Sequence, residues 1–248
     1  SRRQRQMCIR DRTGGDPKKI ESTALFDTLR RLSRSKTIVG GISGGPYLLA
    51  AAGLMHGYRM TVHWEHAPAM QERWPELLLE RSLYIFDRKR VTCAGGTAPL
   101  DLMHSLITEH HGHSFARKVS DWFMHTDFRP AAGPQRAGLV ERIGVTDQAI
   151  LNAIEAMENH ISDPLNLQDL SRIAQVGERQ LNRLFKNKLN ISTMGYYRGL
   201  RLDLAQNLLR NSSLSVTEIS LATGFSGSAH FSSCYSQKFG GPPSSQRR

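Results

Sequence analysis

Cysteine is scarce in this chain: Cys8, Cys93 and Cys234 lie far apart, with no CxxC pair. That excludes a disulfide scaffold and a zinc ribbon, and it agrees with a reducing cytoplasm. Long apolar runs are missing too. None approaches the ~18–20 residues that span a bilayer, so no membrane partner is expected. Acid is in short supply, with 22 Asp and Glu against 33 Lys and Arg, a formal net charge of +11. An excess of that sign favours a polyanionic partner, nucleic acid first. Part of it sits in "SRRQRQMCIRDR", residues 1–12, whose five Arg and one Asp contribute +4. This stretch has no apolar h-region and no periodicity, so it is not a secretory signal. It reads as an artefactual scar outside the fold. The whole chain is 39% hydrophobic, a globular composition, and it is long enough for one or two domains.

Two halves differ in period. Between Thr37 and Cys93, the β-like runs "TIVGGI", "RMTVHW", "SLYIFD" and "RVTCAGG" alternate with the helical patterns "LFDTLRRLSRS" and "APAMQERWP". A further helix, "APLDLMHSLITEHHG", follows. That alternation predicts an α/β domain with a mainly parallel sheet. "RPAAGPQRAG", Arg129–Gly138, is rich in Pro, Gly and Ala and predicts a linker. The expected boundaries are 13–128 for the α/β domain, 129–147 for the linker and 148–248 for an all-helical domain.

The helical half repeats itself. Leu167, Leu170, Val176, Leu181, Phe185 and Leu189 recur as Val216, Ile219, Phe225, Phe231, Tyr235 and Phe239, offset by 49 residues and then by 50. Each copy reads as a short helix, a turn and a longer helix, with Asn166 and Ser215 as N-caps. Thr193–Arg210 between them reads as one unbroken helix roughly 27 Å long. Two helix-turn-helix units on a rigid rod suit two successive major-groove segments about 34 Å apart. In the first unit's second helix, Leu181, Leu184 and Phe185 share one face. Arg179, Asn182, Arg183 and Lys186 share the other, at i, i+3, i+4 and i+7, with Gln180 beside them. Arg can pair with guanine and Asn with adenine, each good bidentate contact discriminating by roughly 1–3 kcal/mol. The second unit offers Ser228, His230, Ser232 and Ser233 and no cation there, so phosphate and shape contacts are expected of it.

These residues resemble the paired helix-turn-helix domain of the AraC/XylS transcription regulators. The motifs are "LNLQDLSRIAQVGERQLNRLFKNKL" and "SVTEISLATGFSGSAHFSSCYSQKFGGPPS", with Gly224, Phe225, Phe231, Phe239, Gly240 and Pro243 carrying the family pattern. Gly177 stands where the family usually has a Ser cap, and Ser233 where it commonly has Arg. The front half is similar to the PfpI/class I glutamine amidotransferase-like superfamily, and the combination resembles a regulator of the GlxA type. The resemblance implies a flavodoxin-like, PfpI-like sheet, here expected to lack about three early strands and so to expose apolar edge and face. Limited proteolysis that left only a C-terminal fragment would support that expectation. The resemblance also implies double-stranded DNA as partner, a small nitrogenous effector, a homodimer as one assembly to be tested, and no cofactor.

The superfamily's enzymes place a Cys at the elbow. Here "ISGGP" puts Ser43 at that position and Gly44 where many relatives have a His. Gly41, Ser43 and Gly45 match the Gly-x-Ser-x-Gly spacing, which leaves a hydrolase or amidotransferase-like enzyme using Ser43 as the alternative. A serine without an adjacent base is a poor nucleophile, so a non-catalytic ligand site is preferred. Its expected contacts are Ser43, Gly44, His63 of "HWEH" and Thr97, the last in a turn with Thr92, Gly95 and Gly96. His104, His110, His111 and His113 invite a metal, but Gly112 interrupts the helical spacing that ligands need, and none is expected.

Overall fold

The computed structural model describes residues 17–35 and 37–246. They form two compact units, one ending at Arg136 and one beginning at Ala137.

The first unit runs α1 (Thr23–Arg34), β1 (Val39–Ile42), α2 (Gly45–Ala51), β2 (Arg59–Met60), α3 (Ala67–Arg73), β3 (Leu78–Leu79), β4 (Tyr84–Asp87), β5 (Arg90–Cys93), α4 (Ala98–His111) and α5 (His113–Trp122). Helix α1 begins where Ser22 Oγ accepts from Leu25 N–H. The sheet order is β1-β5-β4, with β1 parallel to β5 and β4 antiparallel to it. Strand β5 is central and wholly buried. β2 and β3 pair separately, in parallel, so the run expected as one strand over 59–64 pairs only at Arg59 and Met60. Beyond Met60 that run turns to side-chain bonds: Thr61 N–H donates to Thr92 Oγ1 (3.0 Å) and Thr61 Oγ1 to Ser82 O (2.6 Å). The core is built from Tyr47, Leu48, Leu49, Met55, Met60 and Met70, with a second cluster around Leu83, Cys93 and Leu102.

Residues 129–136, read from composition as the start of a linker, pack into this unit. Ala131 O accepts from Leu83 N–H at 2.8 Å. A Cβ on Gly133 would lie 3.1 Å from Leu83 Cδ1. Residues 139–143 are helical as well, so proline and glycine mark turns here and not slack chain.

The second unit contains α6 (Leu139–Ile143), α7 (Gln148–Asn159), α8 (Leu167–Ile173), α9 (Glu178–Leu189), α10 (Thr193–Asn211), α11 (Val216–Ala222) and α12 (Ser228–Phe239). The repeat is a structural one. Asn166 Oδ1 accepts from Asp169 N–H and Ser215 Oγ from Glu218 N–H, capping α8 and α11. Ser171 and Ser220, equivalent positions, each return a hydrogen bond of 2.8 Å to the carbonyl three residues back. The turns also match, since Gln175 and Gly224 are both left-handed, at φ +57° and +72°. Leu170, Leu181 and Phe185 are fully buried in the first copy, and Ile219, Phe231 and Tyr235 in the second.

Candidate nucleic-acid interface and effector cleft

The cation row of α9 follows from how the helix is seated. Leu181 and Phe185 drop into the core, which turns Arg179, Gln180, Arg183 and Lys186 outward, all exposed. No ion pair or hydrogen bond among the described residues holds the side chain of Arg179, Arg183 or Lys186. Their charge is therefore uncompensated on one face. Asn182 also makes a contact within the fold. Its Oδ1 accepts from Thr193 N–H at 3.1 Å, at the first turn of α10, so the side-chain oxygen helps to fix one helix against the next. Helix α9 starts at Gly177 with no side-chain cap.

Helix α12 is seated the same way by Phe231 and Tyr235, and it exposes Ser228, His230 and Ser233, with Ser232 half-buried. The His230 ring leans on Phe225, 5.8 Å between centroids. Its one cation near the C-terminus, Lys238, is bound to Asp203 Oδ1 (2.6 Å) and Gly199 O (2.8 Å) of α10. Helix α10 joins the copies. Nineteen residues at 1.5 Å each make it about 28 Å long. Its Tyr197 is buried in the first copy's core and accepts from Leu165 N–H. Arg201 donates to Thr223 O (2.7 Å) and Gly224 O (2.5 Å) and lies over the Phe225 ring. Burial draws this guanidinium below its ordinary pKa.

In the first unit the elbow is a real one. Ser43, between β1 and α2, holds φ +60°, a region few L residues occupy. Gly41 and Gly95 leave room for it. A Cβ on Gly41 would lie 2.5 Å from Gly45 C, and one on Gly95 2.7 Å from Ser43 Cβ. The Ser43 backbone is fixed by N–H donation to Cys93 O (2.9 Å). No hydrogen bond among the described residues joins Ser43 Oγ to an imidazole or a carboxylate. Cys93 next door is a buried thiol whose pKa burial pushes up to about 11.

Beside the elbow opens a cleft of about 160 Å³, lined by His63, Trp64, Leu83, residues 94–98, Arg129 and Gln135. Two of the expected ligand contacts, His63 and Thr97, line it together. Ser43 lies behind Gly95, and Ser43 and Gly44 are not in the lining. Composition gave no sign of the wall made by Arg129 and Gln135. Arg129 grips the buried Asp101 with Nε (3.0 Å) and Nη2 (2.6 Å), while Nη2 also donates to Thr97 Oγ1 (2.7 Å). His125 Nε2 completes the carboxylate's shell at 3.1 Å. Among the described residues no group of three or more His, Cys, Asp or Glu is arranged to hold a metal ion. His104 instead meets Ser120 Oγ through Nδ1 (2.9 Å) and stacks on Phe128 at 3.6 Å.

Residues 13–109 match the DJ-1/PfpI family and residues 170–248 match a helix-turn-helix domain. The chain is 44% identical to the HTH-type transcriptional regulator GlxA of Rhizobium meliloti, over 95% of its own length and 73% of that protein. It belongs to this family of HTH-type transcriptional regulators. It is also 41% identical to the regulator CdhR of Pseudomonas aeruginosa, over 94% of this chain and 70% of that one. A crystal structure of a Chromobacterium violaceum regulator with an AraC-type DNA-binding domain is 40% identical, covering 40% of this chain and 88% of that one, at TM-score 0.39. By its family and its two matched domains, the regulator is a DNA-binding protein in which an AraC-type helix-turn-helix domain follows a PfpI-like α/β unit in the sequence. Among the described residues no helix is long and apolar enough to cross a membrane.

Proposed function

We propose that the regulator inserts α9 into one major-groove segment and α12 into the next, with α10 setting the spacing. The observation that carries this is the row Arg179, Arg183 and Lys186, exposed, unpaired and aligned on a helix anchored from behind. Arg179, Gln180 and Arg183 read bases and Lys186 a phosphate. Asn182 stabilises α10 and reads no base. Ser228, His230, Ser232 and Ser233 supply phosphate and shape contacts, since no cation faces outward there. The first unit binds a small effector in the cleft at Thr97 and His63. Ser43 keeps the elbow's shape and does no chemistry, a reading supported by the absence of a base on its Oγ. Effector binding biases DNA affinity through a coupling between two states in the cytoplasm, and pairing of two copies would double the operator.

The test is binding to a selected duplex at fixed salt. Arg183→Ala should weaken it by about 5–150-fold, the 1–3 kcal/mol of a bidentate contact, and relax sequence preference. Ser233→Ala should stay within about twofold. Equal losses would overturn the ranking, and footprints without two protected segments a helical repeat apart would overturn the geometry. Turnover of an amide or ester that vanished in Ser43→Ala would favour the enzyme instead.

A further inference from the structure

Helix α12 keeps the frame of α9 but not its charge. With an offset of 50, Arg179, Arg183 and Lys186 of α9 correspond to Ala229, Ser233 and Ser236 of α12, and Gln180 corresponds to His230. His230 is exposed in the first turn of α12, where Gly227 offers no side-chain cap to the backbone N–H groups. Its ring stands edge-on to Phe225, 5.8 Å between centroids and 67° between planes. No hydrogen bond or ion pair among the described residues engages the imidazole. The elements packed on α12 bring few charges near it. Arg201 of α10 lies over the same Phe225 ring at 4.2 Å and bonds to Thr223 O and Gly224 O. Asp203 of α10 holds Lys238, and Glu218 of α11 accepts from Ser215 N–H. Arg198 and Arg210 are the other charged residues of α10, and the turn Pro243–Gln246 has none. Within α12 the remaining titratable groups are Cys234, Tyr235 and Lys238.

Resting on the reading of α12 as the second groove helix, we propose that His230 takes up a proton from solvent as the duplex binds and donates a charged hydrogen bond to a backbone phosphate at the start of α12. Histidine is the side chain whose charge changes near neutral pH. A phosphate within hydrogen-bond reach favours the charged imidazole, whereas no carboxylate among the described residues bonds to this ring. The second reading head thus acquires on DNA the cation that its exposed row lacks, and affinity becomes tied to pH. Because the complex then holds more protons than the separate partners, binding tightens as pH falls from about 8 to about 6.

The test is the affinity of the full chain for a selected duplex at about pH 6 and about pH 8, over a range of salt. Lowering the pH should tighten binding by the unchanged protein about three- to tenfold more than binding by His230→Gln. At the lower pH the slope of log K against log salt should be steeper for the unchanged protein by about 0.9, the release of one counterion, and at the higher pH the two slopes should coincide. His230→Lys should bind tightly with the flatter pH response of His230→Gln. Should a variant disturb the unit, the imidazole NMR signal of His230 in the unchanged chain decides, since it should titrate at higher pH with the duplex than without it. Titration at the same pH in both states would overturn the proposal. So would a loss in His230→Gln that is equal at both pH values with equal salt slopes; while the segment under α12 stayed protected in footprints, the groove reading would stand. Absence of that protection would overturn both.

Discussion

Gly224 is where the second helix-turn-helix copy has least room for change. Its φ is +72°, and a Cβ there would lie 2.5 Å from Pro164 Cγ and 2.6 Å from Ile161 O. Two costs combine in Gly224→Ala. Holding an L residue in the left-handed region costs roughly 1–2 kcal/mol. Displacing the Pro164 ring and a backbone carbonyl, neither of which can rotate aside, adds about 1–3 kcal/mol, as overpacking usually does. The substitution should therefore destabilise the unit by about 2–5 kcal/mol. Gln175→Ala, in the equivalent left-handed turn of the first copy, should change stability by no more than about 0.5 kcal/mol, because that turn already carries a side chain. A two-unit chain need not melt in one transition, so hydrogen exchange is the better assay. The amides to follow are Phe225, bonded to Ser220 O, and Ile219, bonded to Ser215 O. A 2 kcal/mol loss accelerates their exchange about 30-fold where it proceeds by opening of the unit. Acceleration below about threefold would mean that the predicted crowding at the turn is absent.

Asn182→Ala should cost about 1 kcal/mol by removing the acceptor at Thr193 N–H, with sequence preference unchanged in a selection experiment. Asn182→Asp keeps that acceptor and should weaken duplex binding by placing a negative charge among Arg179, Arg183 and Lys186. Relaxed preference in Asn182→Ala would show that the amide reads a base. Iodoacetamide at pH 8 should modify Cys234 in the native protein and spare Cys93, which is buried with a pKa near 11, until denaturant is added; mass spectrometry of tryptic peptides reads the order. His104 is held below its ordinary 6.5, chiefly by burial and then by Arg117. The unfolded chain then binds more protons than the folded one, so stability falls as pH drops from about 6.5 toward the lower folded value. Denaturation of the α/β unit across that window should be flatter for His104→Gln.

What could be read from the chain was local or periodic. The caps at Asn166 and Ser215, the unbroken helix after Thr193 and the duplicated apolar spacing all depend on neighbours a few residues away, and each is in the structure where expected. The elbow at Ser43 was legible because a glycine-rich turn between a strand and a helix has few alternatives. Pairing across distance was not. Strands β4 and β5 turn back on each other through Arg88 and Lys89, with Arg88 at φ +53° and none of the Asn-Gly chemistry that marks such a hairpin. Helix α5 gave little signal, since only Ala116 and Ser120 of its ten residues are buried. The cleft wall was hidden for the same reason. Arg129 and Gln135 lie in a Pro- and Gly-rich stretch whose partners, Asp101 and Thr61, are 28 and 74 residues away. Asn182 shows the converse limit: spacing placed it on the helix face but could not show that Thr193 N–H would claim its oxygen.

Helix α10 belongs to two cores at once, through Tyr197 at one end and Arg201 farther along. A crack that opens either half has to run along the same backbone, so neither motif can come apart in private. The outward-facing letters of α9 and α12 are free to diverge, and Arg183 against Ser233 shows that they have. The shared axle ties the fate of one reading head to the other.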